Sequence, residues 1–219
     1  MMNEVWHWLT ESDGGLLVRI LVGAFIFTFL GMTDLIRHRS RATRWREYLF
    51  LLTAVGVALL YGIVNDQITV RLSTEYFLYG KGLEPVVGND LNRLPWEAAK
   101  VGMKATWTVG LVIGVAFLLA NNPRRDRPRL PYRDLLRHIV KVLVLSILCA
   151  IALGAVGRLG GLVLFSEDFR QMVAHDEFRP RRFMGVYGIH LGGYVGGLAG
   201  TVWAVVSILR QRRSFKAHE

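Results

Sequence analysis

Tyr48–Val64 reads YLFLLTAVGVALLYGIV, seventeen residues without a charge, and gives way at once to Asn65-Asp66-Gln67-Ile68-Thr69 and then Glu75-Tyr76-Phe77. At about 1.5 Å per helical residue, an uncharged run of this length covers most of a hydrocarbon layer roughly 30 Å thick. It points to an all-α fold, a polytopic bundle of transmembrane helices. The polar residues that follow mark where the chain leaves the membrane. Any binding or chemistry is expected to gather there.

Four further apolar runs flank this one. They give five spans at about 16–36, 48–64, 101–120, 139–165 and 184–209, in one membrane domain over 1–219, with an outer loop at 66–100. The fourth run is too long to stand upright. It predicts a tilt, a kink near Gly154 and Gly157, or an interfacial start at Leu135–His138. Met1–Gly15 holds Glu4, Glu11 and Asp13 but no Lys or Arg. A signal peptide begins with positive charge, so the first run is kept as a helix.

Composition agrees with a membrane protein: 52% of the 219 residues are hydrophobic and mean hydropathy is +0.32. The net charge of +10, with a pI near 10.2, would suggest nucleic acid in a soluble chain. Here the charges sort by loop. Arg37–Arg46, Arg124–Lys141 and the tail from Arg210 carry 16 of the 27 Lys and Arg beside 5 acids, counting Asp34 and Glu47 at the margins of the first. The N-terminus, 66–100 and 166–183 carry 8 bases and 12 acids. Basic loops stay inside, which puts the N-terminus outside and the C-terminus in the cytoplasm. The basic excess then faces lipid headgroups, not nucleic acid. The loop Pro123–Pro131, with three prolines, reads as a solvated inside loop or a contact for anionic lipid or a cytoplasmic partner. Cys149 is the single cysteine and can form no disulfide within the chain.

Gly188, Gly192, Gly196 and Gly200 recur every four residues in the fifth span. Such a ridge admits a neighbouring helix backbone, within the chain, from another membrane subunit, or from a second copy in a homo-oligomer. His190 points about 200° away from Gly188, on a face shared with Tyr187, Tyr194 and Gly197. Arg158 lies roughly 10 Å inside the fourth run and calls for a partner, Asp66 or Glu75. Asn65, Asp66, Gln67 and Glu75 converge with His190, and with His175 of the last loop, in an expected outer polar site. Asp66, Glu75 and His190 are of the ligand types that hold zinc, iron or manganese, and also a general acid–base set. No metal signature spacing is present. The plainer readings are helix termination and capping for Asn65 and Asp66, and a hydrogen-bonded interior histidine for His190. Ile68–Tyr79 alternates like a strand or an extended segment. Tyr76, Phe77, Tyr79 and Trp96 read as interfacial anchors.

Tyr61-Gly62-x-x-Asn65-Asp66-Gln67-Ile68-Thr69, Glu75-Tyr76-Phe77, Ala105-Thr106-Trp107-x-Val109-Gly110 and Arg182-Phe183-Met184 through His190-x-x-x-Tyr194-x-x-Gly197 together resemble a family of uncharacterised bacterial integral membrane proteins. That family carries His-Asp-Gln-[Ile/Val]-Thr, then Glu-Tyr-Phe, then Trp-Val-Gly in a span, and a late Ala-His…Ser-Tyr helix. The likeness spans residues 61–200 and implies a helical bundle in a bacterial inner membrane, without an activity. Asn65 stands where the family has His, and Lys81 where a second His often follows Glu-Tyr-Phe. Three functions remain open. The first is a structural or accessory subunit of a membrane complex. The second is a metal-binding or catalytic protein using Asp66, Glu75 and His190. The third is a small-solute or ion transporter, for which no inverted repeat is visible.

Overall fold

The computed structural model describes residues 13–122, 129–166 and 178–214. His175, the first twelve residues, most of the Pro123–Pro131 loop and the tail beyond Ser214 lie outside them. Among the described residues six α-helices follow in order: α1 (Asp13–His38), α2 (Trp45–Leu72), the short α3 (Glu84–Val87), α4 (Leu94–Ala120), α5 (Tyr132–Leu159) and α6 (Pro180–Ser214). All but α3 are long and apolar enough to cross a membrane. There is no strand among the described residues. The chain is a multi-pass helical membrane bundle.

The helices outrun the expected spans, and α2 does so with the greatest consequence. It continues eight residues past Val64 to Leu72, so Asn65–Thr69 is helix and neither a loop nor a terminating cap. The strand-like reading of Ile68–Tyr79 falls with it. The helix persists because its polar residues find partners across the bundle and along the helix itself. Gln67 Nε2 donates to the Pro95 carbonyl at 2.6 Å, and Thr69 Oγ1 donates to the Asn65 carbonyl at 2.9 Å. Ser73 then closes α2, its amide bonding to Thr69 O at 3.0 Å, while its hydroxyl accepts from the Tyr76 amide at 3.3 Å. A single wide turn, Tyr76–Gly80, follows.

The fourth run is not one helix. α5 starts at Tyr132, which makes Leu135–His138 part of it, and ends at Leu159. Gly160 takes φ 102°, a left-handed cap conformation that glycine adopts at no steric cost. Arg158 therefore sits in the last turn of α5, exposed at the end of the helix.

Two antiparallel hairpins make the bundle. In α2–α4, Gly62 abuts Gly102, Gly110 meets Ala54 and Ala58, and Gly114 meets Leu51. In α5–α6, Gly157 faces Met184, Gly188 faces Leu153, Gly192 faces Cys149, Gly196 faces Leu145 and Gly200 faces Val142. A Cβ at Gly188 or Gly192 would strike a backbone carbonyl of α5. The ridge is thus filled inside the chain, and a second copy would have to use another face. α1 leans mainly on α2. Its end is fastened by Asp34, whose carboxylate accepts from the Trp45 amide at 3.1 Å and meets His38 Nδ1 at 3.0 Å.

The core divides into two clusters. One, at the end with the basic loops, gathers Phe50, Phe117, Leu135, Ile139, Ala204 and Ile208. The other, at the opposite end, gathers Val70, Tyr76, Phe77, Leu94, Phe183 and Met184. Tyr76 and Phe77 are therefore buried and not interfacial anchors, whereas Trp96 is 74% exposed. Between the clusters the hairpins stand apart.

Candidate functional site

The separation of the hairpins leaves a cleft of about 510 Å³, walled by α2 and α4 on one side and α5 and α6 on the other. Val57, Val101, Val109, Ile113, Leu143 and Leu198 give it an apolar body. Thr106, Ser146 and Thr201 also line it, but their hydroxyls are spent on carbonyls four residues back in their own helices. Polar groups with capacity to spare collect at one end, where Tyr61, Asn65, Asp66, Lys81, His190 and Tyr194 line the wall.

Asp66 and His190 form the centre of this end. Asp66 Oδ1 lies 3.8 Å from His190 Nε2, and both side chains are nearly buried, at 4% and 10% exposure. Helical continuation of α2 puts Asp66 there. The small residues of α6 that dock on α5 turn the opposite face, with His190 and Tyr194, into the cleft. Asn65 Nδ2 donates to Asp66 Oδ1 at 3.2 Å. Thr69 Oγ1 stands 3.5 Å from His190 Nε2. The imidazole stacks on Tyr76, with centroids 5.1 Å apart and planes within 10°, and takes an edge contact from Phe77 at 6.0 Å. Lys81 Nζ lies 5.4 Å over the other participant in that stack, the Tyr76 ring. Burial holds the Tyr76 phenol above the ordinary tyrosine value, so it remains a neutral ring beneath the imidazole.

At 3.8 Å the carboxylate and imidazole are electrostatic neighbours without a direct hydrogen bond. A third group entering the cleft can therefore meet both. A carboxylate accepts and an imidazole donates or accepts, so the pair can orient a hydroxyl or amine and move a proton on it.

The remaining expected site residues lie elsewhere. Glu75 accepts from the Arg179 amide at 3.2 Å and latches the start of α6. The proposed metal triad of Asp66, Glu75 and His190 is not assembled, and among the described residues no three of His, Cys, Asp or Glu stand close enough to hold an ion. The turn after Ser73 carries Glu75 to the bundle's end, away from the cleft. Among the described residues, Arg158 makes no ion pair with Asp66 or Glu75, because α5 ends beside it and lifts it to the surface. Gln67 is structural, tying α2 to α4. Tyr61 and Lys81 were not among the expected site residues. Tyr61 sits four and five residues before Asn65 and Asp66, which is the helical signal that could have found it. Lys81 reaches the cleft through a turn that no periodicity announces. Both positions where the chain departs from the resembled family, Asn65 and Lys81, line this one end.

No protein-family model, no curated protein and no solved structure matches this chain, so the chemistry of the cleft rests on its own geometry.

Proposed function

We propose that this protein is a multi-pass protein of a bacterial inner membrane that takes an amphipathic molecule from the bilayer into the cleft between its hairpins. The apolar part of that molecule lies along α4 and α5, and its hydroxyl- or amine-bearing end meets Asp66 and His190. One observation carries the reading: the cleft is apolar through most of its length and closes on a buried carboxylate–imidazole pair. Buried acids and bases inside spans are costly and tend to be functional. A cavity with an apolar wall and a few convergent polar groups is the usual form of a small-molecule site. The orientation follows the loop charges, with the Asp66 end outside.

The test uses the full chain, purified in mild detergent and analysed by mass spectrometry for retained small molecules. A defined amphiphile should co-purify above the bulk lipid background. Ala105→Phe, which fills the cleft, should lose it, and Asp66→Asn should weaken its retention while leaving the protein folded. Retention unaltered by Ala105→Phe, or no retained molecule at all, rejects the binding reading. The chain would then be read as an accessory subunit of a membrane complex.

A further inference from the structure

A second groove runs along the outside of the bundle, between α2 and the α5–α6 hairpin, with a volume of about 710 Å³. Its walls are apolar, with Ile68, Ile151 and Val186 among them, and it is separate from the cleft apart from Tyr61 and Asn65, which border both. Three arginines from three helices line it, all toward the same end. They are Arg71 near the end of α2, Arg158 in the last turn of α5 and Arg182 in the first turn of α6, all exposed. This is the end opposite the basic loops, where Lys and Arg are the minority. Their placement there is therefore not part of the general topogenic charge.

We propose that this groove is a binding site for an anionic phospholipid, with one acyl chain along Ile68 and Ile151 and the phosphate among Arg71, Arg158 and Arg182. Guanidinium groups pair phosphate oxygens through paired N–H donors. The three sit at helix ends, at headgroup depth. A free phosphate would satisfy the arginines but leave the apolar groove empty, whereas a lipid fills both. Arg71 already donates to the Gln67 carbonyl and side chain, which fixes its stem along α2 and leaves the other face of its guanidinium for the phosphate.

Native mass spectrometry of the full chain, equilibrated with equal amounts of phosphatidylglycerol and phosphatidylcholine of identical acyl chains, tests this. Phosphatidylglycerol should be retained in preference. Each of Arg71→Gln, Arg158→Gln and Arg182→Gln should lower that preference about fivefold, the usual worth of one basic side chain at an anionic lipid surface. Ala155→Trp, which blocks the apolar groove with the arginines intact, should abolish retention, and Arg133→Gln at the other end should change nothing. Single exchanges of exposed residues keep the comparison possible even if the triple variant does not fold. Equal retention of both lipids, or a preference that survives all three exchanges, overturns the proposal. So does displacement of the lipid by inorganic phosphate alone, which would mark a free-anion site.

Discussion

Arg212 shows how differently one residue type is used within this chain. By sequence it belongs to the topogenic basic tail. In the structure it is 3% exposed and donates to the carbonyls of Ala120 at 2.5 Å and Asn122 at 2.6 Å, capping the end of α4 with a cation. Hydrogen bonds from a charged donor are worth about 1.5–3 kcal/mol each. Arg212→Gln should therefore lower the midpoint of thermal unfolding in detergent clearly, while the exposed neighbour Arg210→Gln should leave it in place. Nothing in the local sequence separates the two, because burial is decided by a contact some ninety residues away. Asp66 and His190 were legible as polar residues out of place in apolar surroundings. That both stand at the same end of their spans was also legible, but that α2 and α6 bring them to 3.8 Å was not. A double-mutant cycle with Asp66→Asn and His190→Gln, read by thermal stability, should give a coupling of about 0.5–3 kcal/mol, the range for side chains in contact. Additive single effects would show that the two act independently. Glu75 was misplaced because its position depends on a turn geometry that residue types do not encode.

Each of the five long helices was visible as an apolar run, but their ends were not. Hydropathy marks where hydrocarbon stops, whereas a helix stops where its backbone finds other partners. α2 continues because Gln67 and Thr69 are engaged across and along it, and α5 stops because Gly160 takes a conformation costly to other residues. The α6 glycine ridge was legible, and the structure shows what fills it. The matching set on α4, Gly102, Gly110 and Gly114, was not singled out. Its meaning appears only against Gly62, Ala54 and Leu51 of another helix. Gly192→Val should overpack the α5–α6 contact and destabilise by about 1–3 kcal/mol or more. Gly56→Ala, with open space around it, should instead stabilise by up to about 1 kcal/mol through helix propensity. Thermal unfolding of the two variants side by side checks both signs.

The arrangement of the whole molecule was the least legible. Two tight hairpins flanking an apolar cleft follow from which glycine faces meet, and spacing alone permits several pairings. The loop charges predict that residues 73–93 face outward and that the α4–α5 turn faces the cytoplasm. In intact cells, a membrane-impermeant maleimide should label Thr74→Cys, an exposed position, and leave Arg133→Cys untouched until the membrane is opened. The reverse pattern would invert the molecule. Because α2–α4 and α5–α6 are each internally close and touch each other lightly, ligand binding should tighten the gap between hairpins more than the contacts within them. Hydrogen exchange at the cleft-facing turns of α2 and α6, with and without the retained amphiphile, would register this.

The two bonds made by Arg212 also set an order on biosynthesis. The α4–α5 turn closes with its own atoms, Asn121 and Leu130 exchanging side-chain and backbone bonds at 3.0 and 2.8 Å. The carbonyls of Ala120 and Asn122 must wait for a side chain near the end of the chain. With only the first four spans inserted, that end of the bundle is still incomplete, its two carbonyls without their Arg212 partner. Only the last turn of α6 completes it. A chain stopped at Leu209 would contain every wall of the cleft and still be expected to be cleared faster than one stopped at Arg213, a difference that a pulse-chase of the two truncations would reveal.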